Sequence, residues 1–237
     1  EAQHLPRHVR FKRDAKWKGR EQKWFVLPAM DYEQTIHTRE GPKQVVKTLP
    51  EIRIPMDAWL WVLGIYIAEG CVSSWTGYAL CIYQNPGPKL NKIIAAVRAA
   101  GLHAQPGKRS VVIQSKQLWS YLKVLGKSGD KYIPAECKEL SRRQIRILID
   151  ALLFGDGRGT SGYCTISRRL ADDVQELFLK AGYAGSVIVE KVKAEVVGTR
   201  HFGVNDIYYV SRHTNSIGAS RVNSKSTEGR NRNYISY

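Results

Sequence analysis

Negative charge is in short supply in this chain of 237 residues. Its 21 Asp and Glu stand against 37 Lys and Arg, a formal net charge of +16. An excess of that size predicts attraction to a polyanion and says nothing about fold. Long apolar runs are missing too. The longest, around Ala58 to Ala68, is too short to span a bilayer, so no membrane partner is expected. Glu1 to Lys23 is polar and basic with no apolar stretch behind it, and no cleavable signal is expected. Cysteine is sparse. Cys71, Cys81, Cys137 and Cys164 form no C-x-x-C, and no histidine cluster stands near them at zinc-ligand spacing. They read as half-buried thiols of a reducing cytosol. His201 and His213 lack the paired spacing of a histidine-metal site and read as surface or strand residues. Gly126-Lys127-Ser128 resembles the end of a P-loop, but Tyr121 stands where its first glycine is required.

What is present is an ordinary globular composition, 43% apolar and 24% charged, enough for one large domain or two small ones. It also contains a repeat. Trp59 to Gly70 reads WLWVLGIYIAEG and Ile145 to Gly157 reads IRILIDALLFGDG. Both are apolar for about three turns, and both end in an acid and a glycine. A strand-like tail follows each, Thr76 to Gln84 and Ser161 to Ser167. A helical stretch comes next, with Leu90, Ile93, Ile94 and Val97 in one copy and Val174, Leu177 and Phe178 in the other. Ala100-Gly101-Leu102 and Ala181-Gly182-Tyr183 close these helices in the same way. The chain is two diverged copies of one αβ unit, pseudo-symmetric within itself.

The two motif helices end strangely. A carboxylate at a helix C-terminus faces a dipole that is already negative. Glu69 and Asp156 both sit there, each before a glycine that the pattern predicts as a C-cap, Gly70 or Gly157. Two acids so placed suggest an attraction that offsets the cost, such as divalent cations. Gly64 and Ala68 on one helix, and Ala151 and Gly155 on the other, are small residues at four-residue spacing that let two helices approach closely. Packed along those faces, the helices bring Glu69 and Asp156 side by side, an oxygen-rich site suited to Mg²⁺. Metals bridging attacking water and leaving oxygen give phosphodiester hydrolysis.

VLGIYIAEG and IDALLFGDG resemble the two motifs of the single-chain LAGLIDADG homing endonucleases. The resemblance covers both motifs and the strand and helix after each, most of Asp57 to Arg212. It implies an α+β fold, a pseudo-twofold pair of αββαββα units whose two antiparallel, saddle-shaped sheets surround two central LAGLIDADG helices. It implies a monomer that cuts a long asymmetric double-stranded DNA target, leaving short 3′ overhangs. Mg²⁺ would support cleavage, Mn²⁺ would substitute, and Ca²⁺ would bind without cutting. Gly129-Asp130-Lys131-Tyr132-Ile133-Pro134 is similar to the Lys-x-Ile-Pro block of the intein-borne branch. That similarity gives Lys131 a catalytic role, against the alternative of a surface lysine flanking a helix. Lys225 is its candidate counterpart in the second half. Gln84 matches a polar position near the scissile phosphates, with Ser167 as its counterpart. Asn233 to Tyr237 resembles the run before an intein's last splicing block, and the block itself is missing.

Three parts follow. Residues 1–55 form a basic N-terminal accessory segment and linker, 56–140 the first LAGLIDADG half, and 141–237 the second half with a basic Ser/Asn/Arg-rich tail expected to be loop. The linker is placed at Thr48 to Pro55, punctuated by Pro50 and Pro55. Arg7 to Lys23 holds eight basic residues interleaved with Trp17. Arg10, Lys12, Arg13 and Lys16, together with Arg168 and Arg212, are the candidate DNA contacts. The alternative to DNA contact is that this stretch is ordered by packing Trp24, Phe25, Val26 and Leu27 against the core. The location implied is the cytoplasm of a prokaryotic or phage-infected cell. The competing function is a cleavage-deficient LAGLIDADG protein, an intron RNA maturase or a DNA-binding regulator. Such proteins often lose the acid pair, and both acids are present here.

Overall fold

The computed structural model describes residues 17–73, 77–158, 162–191, 196–197, 200–201, 205–213 and 234–235. It divides into two compact units, Gln22–Val124 (N-proximal) and Glu1–Glu21 with Leu125–Tyr237 (C-proximal).

In the N-proximal unit, β1 (Trp24–Leu27) pairs antiparallel with β4 (Ile52–Pro55). Between them, β2 (Met30–Thr38) and β3 (Gly41–Leu49) form a hairpin turning at Arg39-Glu40. The linker expected at Thr48 to Pro55 is therefore strand on both sides of Pro50. Gln117 explains why the break is tight, since its Nε2 donates to the carbonyls of both Pro28 and Pro50, at 2.9 and 2.8 Å. Along β1 the side chains alternate. Phe25 and Leu27 are buried while Trp24 and Val26 are exposed. Helix α1 (Met56–Glu69) buries nine of its 14 residues, so it is a core helix rather than an amphipathic one. Phe25 stacks on its Trp59 at 4.0 Å, and Tyr121 meets both rings edge-on. Tyr121, the residue that spoils the P-loop, is thus a packing residue.

After α1 come β5 (Gly70–Ser73), β6 (Ala79–Tyr83), α2 (Pro88–Ala99), β7 (Gln105–Pro106), β8 (Ser110–Gln114) and α3 (Lys116–Lys123). The four strands form one antiparallel sheet in the order β5-β6-β8-β7. Leu80, Ile82, Val111 and Ile113 on one face of it are buried.

The C-proximal unit contains α4 (Ala135–Lys138), α5 (Arg142–Asp156), β9 (Gly157–Arg158), β10 (Gly162–Thr165), α6 (Arg168–Lys180) and β11 (Ala184–Glu190). Then follow a small hairpin of β12 (Val196–Val197) and β13 (Arg200–His201), β14 (Ile207–His213) and β15 (Tyr234–Ile235). Its sheet runs β9-β10-β14-β11-β15. Without β15, that is the order of the other sheet. The tail expected to be loop from Ser211 onward contributes the end of β14 and all of β15, which pairs with β11. Helices α2 and α6 also end alike. Gly101 (φ +74) and Gly182 (φ +88) take the left-handed conformation, and the amides around them bond back to Arg98 and Val97, and to Leu179 and Phe178.

The motif glycines behave differently from the expected caps. Gly70 (φ −100°, ψ 158°) and Gly157 (φ −66°, ψ 133°) are extended and begin strands. Their lack of a side chain is required by space. A Cβ on Gly70 would lie 2.5 Å from Tyr66 Cδ2, and one on Gly157 would lie 2.0 Å from the Leu153 carbonyl oxygen. Since the crowding atom at Gly157 is backbone, Gly157→Ala is expected to cost about 2–3 kcal/mol, read from urea unfolding. The control is Gly87→Ala, which meets nothing within 4 Å but must carry φ +143. An equal or smaller loss at Gly157 would refute the spatial argument.

Candidate functional site

In the N-proximal unit the site grows from one register. Gly70 pairs with Ile82, which places Gln84 just beyond the end of β6, close to the last residue of α1. Gln84 Nε2 donates to Glu69 Oε1 at 3.3 Å. Helix α2 opens at Pro88, whose fixed φ suits a first turn. Its next residue, Lys89, brings Nζ to 3.2 Å from the same Glu69 oxygen, with Glu69 a quarter exposed. Around this pair, Gln84 Oε1 accepts from the Asn85 amide, and Asn85 Oδ1 accepts from Arg109 Nε and Nη2. Glu69 Oε2 receives no donor among the described residues. The acid at the negative end of α1 therefore has its compensating cation in Lys89. That residue was not found from the sequence.

In the C-proximal unit, Asp156 ends α5 and is half-buried. Ser141 caps the start of α5, accepting from the Gln144 amide at 3.2 Å. Chain segment 17–21 holds that cap from outside. Ser141 Oγ and Arg143 both donate to the Glu21 carboxylate, and the backbones of Arg20 and Ser141 pair. Trp17 Nε1 donates to the Leu140 carbonyl at 2.7 Å, with Lys180 Nζ 4.0 Å from its ring centroid. The described end of the basic N-terminal stretch thus packs against this unit.

Lys131 is only 5% exposed, which excludes the surface-lysine reading. The Lys-Tyr-Ile-Pro block is clamped to α6. Ser167 caps α6 at Leu170 and donates its hydroxyl to the Lys131 carbonyl at 2.7 Å. The Ile133 amide donates to Asp173 Oδ2 at 2.8 Å, and the Arg169 guanidinium lies 3.7 Å from the Tyr132 ring centroid. Lys138 Nζ reaches both Asp173 and Glu176. Burial opposes the Lys138 charge, but hydrogen bonds to those carboxylates outweigh it and raise its pKa. Burial opposes the Glu176 charge as well, yet Lys180 and Lys138 hold its pKa below the usual carboxylate value.

Register also corrects one equivalence. Gly70 pairs with Ile82 and Gly157 with Tyr163, so Ile82 matches Tyr163 and Gln84 matches Thr165, not Ser167. The same spacing relates Gly101 to Gly182, and it makes Leu170 the counterpart of Lys89. Thr165 Oγ1 accepts from the Ser167 amide, and Leu170 is buried. The Gln–Lys pair around Glu69 has no equivalent at the matching positions of the other unit.

Of the remaining candidates, Arg10, Lys12, Arg13, Lys16 and Lys225 lie outside the described residues. Arg168 pairs with Asp172 at 3.0 Å and lies 5.8 Å from the Tyr208 ring, while Arg212 stacks 4.9 Å from Tyr183. His213 Nε2 is hydrogen-bonded to Ser186. Among the described residues no group of three or more His, Cys, Asp or Glu could hold a metal. A hard cation takes a carboxylate oxygen and completes its shell with water or phosphate. Glu69 Oε2 fits that single-ligand part.

No protein-family model matches the chain. It is 28% identical over 208 residues to a Chlamydomonas moewusii protein named ATP-dependent Clp protease proteolytic subunit, covering 81% of this chain. It is 24% identical over 237 residues to a Stigeoclonium helveticum protein named DNA-directed RNA polymerase subunit beta C-terminal section, covering 80% of this chain. Among solved structures, a variant of I-DmoI in complex with its target DNA, in the presence of 2 mM Mn, aligns at a TM-score of 0.45 with 14% identity. The alignment covers 66% of this chain and 87% of that one. The chain spans only about a fifth of the length of the two curated relatives, 20% and 21%.

Proposed function

We propose that this chain is a LAGLIDADG-type site-specific DNA endonuclease of the intein-derived branch, using Glu69 and Asp156 as its metal-binding acids. What carries the reading is a matched pair of features. Two sheets that share a strand order once β15 is set aside each follow a helix whose last residue is an acid, and the next residue is a glycine with no room for a side chain. Core packing alone would not place acids there twice. The charge of +16 supplies the attraction to a polyanion. Similarity to a fifth of two proteins with unrelated names is what a segment inserted into different host genes would give. The target is then DNA spanning an uninterrupted insertion point.

When bound, Mg²⁺ supplies Lewis acidity toward the scissile phosphate and lowers the pKa of water. Glu69 offers Oε2 to it, while Gln84 and Lys89 fix Oε1. Lys89 also lies where a phosphate oxygen could be met by an ammonium. Asp156 is the metal-binding acid of its own unit, without a Gln–Lys pair of that kind. Lys131 is offered there from a block that Ser167 holds through the Lys131 carbonyl and Asp173 through the Ile133 amide. The test is a cleavage screen of a randomised duplex library in Mg²⁺, repeated in Ca²⁺. One recurring cut with short 3′ overhangs in Mg²⁺, and retention without cutting in Ca²⁺, is expected. Preferential RNA binding with no enriched cut would favour the maturase reading instead.

The asymmetry around Glu69 gives a sharper expectation. Lys89→Met should slow one of the two strand cuts about 10- to 100-fold, the usual loss when a partner of a metal-binding carboxylate is removed. Nicked circles should therefore accumulate before linear DNA on a supercoiled plasmid. Equal slowing of both cuts would remove Lys89 from the site.

A further inference from the structure

Sequence spacing gives no reason to pair any two of the four cysteines, and all four are free thiols. The sheet of the N-proximal unit nevertheless sets Cys71 on β5 directly opposite Cys81 on β6. Directly opposed residues of an antiparallel pair share a face, with Cα atoms about 4.5 or 5.5 Å apart. Either spacing lies within the range of about 4.4–6.8 Å that a disulfide spans. Tyr83, two residues along β6 and so on the same face, stands close enough to both thiols that their negative charge raises its pKa. Cys71 is exposed while Cys81 is 8% exposed. An incoming reagent meets Cys71 first, with Cys81 beside it on the neighbouring strand. Cys137 on α4 and Cys164 on β10 belong to the other unit, and Cys164 stands opposite Tyr209.

We propose that Cys71 and Cys81 form a redox-active dithiol that closes reversibly into a cross-strand disulfide, with a small disulfide such as oxidised glutathione as its oxidant. The Cys71 sulfur attacks the oxidant, forming a mixed disulfide and releasing one glutathione as its thiol. The Cys81 sulfur then attacks Cys71 Sγ, the cross-strand bond forms, and the second glutathione leaves as its thiol. Two electrons pass from the protein sulfurs to the oxidant, and the two protein protons end on the released thiols. A disulfide joining neighbouring strands is held in a constrained geometry, which makes it readily reducible and suits a reversible role. The link joins the strand that starts after Glu69 to the strand that ends before Gln84. The proposal does not rest on the nuclease reading.

The experiment equilibrates the full chain in glutathione buffers of graded oxidation, traps free thiols with iodoacetamide and maps linkages by mass spectrometry. The expected result is loss of two alkylation sites in one reversible step, with a single Cys71–Cys81 linkage. Cys71→Ser should leave the alkylation of the remaining thiols unchanged from one buffer to the next. Cys81→Ser should instead retain one glutathione on Cys71, because the resolving sulfur is gone. Alkylation of both residues at every ratio in the native protein would overturn the proposal. So would a linkage that uses Cys137 or Cys164.

Discussion

Glu69→Gln is expected to abolish double-strand cleavage while leaving DNA affinity unchanged or improved. The amide keeps the shape of the side chain and can still accept from Gln84 and Lys89 through its oxygen, so α1 and β6 stay in place. What it loses is the negative charge that a divalent cation needs. Removing a ligand that supports Lewis-acid chemistry forfeits several kcal/mol of the barrier reduction, about a thousandfold or more in rate. Binding should move the other way, since a carboxylate repels phosphate and a neutral amide leaves the Lys89 charge unneutralised to attract it. Asp156→Asn should behave alike. Single-turnover cleavage in Mg²⁺, measured beside affinity in Ca²⁺, separates the two effects. A Glu69→Gln protein that cuts at the normal rate would refute the assignment, and one that loses binding in parallel would point to misfolding.

How much of this was legible in the sequence depends on how local each signal is. The repeat was legible, because an apolar run ending in acid-glycine, a strand and a Gly-closed helix are contiguous patterns. Both helix closures recur in the structure at Gly101 and Gly182. Lys89 was not legible. It reaches Glu69 only because strand pairing folds β6 back beside the end of α1, and register is set by facing residues rather than by spacing along the chain. The same cause mismatched Gln84 with Ser167, and it hid Cys71 opposite Cys81. Lys131 stands out in the sequence through its block alone. Its burial was invisible, since the residues that enclose the block, Ser167 and Asp173, come from a helix more than thirty residues later. The strand pair β1–β4 was missed because prolines at 50 and 55 read as a linker. They stand between strands and at a strand end, where no ladder amide is needed.

Salt dependence offers the largest effect that needs no knowledge of the target. A surplus of sixteen positive charges predicts that binding is driven mainly by counterion release from DNA phosphates. With roughly six to ten phosphates neutralised, affinity should fall by about three to five decades between 50 and 200 mM salt. The slope also distributes the charge. Arg168 is already paired with Asp172, so breaking that pair offsets part of what meeting a phosphate there would contribute. Replacing Arg10, Lys12, Arg13 and Lys16 together with Ala should weaken binding to every sequence and lower the slope by about one for each phosphate no longer neutralised. The footprint should shorten at one end with the cut position unchanged. The neighbouring Trp17–Leu140 and Glu21–Ser141 bonds are untouched by these four substitutions, so the capped start of α5 should survive them. Fluorescence anisotropy across a salt series checks both numbers. A flat response in the parent chain would rule out DNA as the partner. An unaltered slope in the variant would leave the N-terminal stretch with only the packing seen at Trp17 to Glu21.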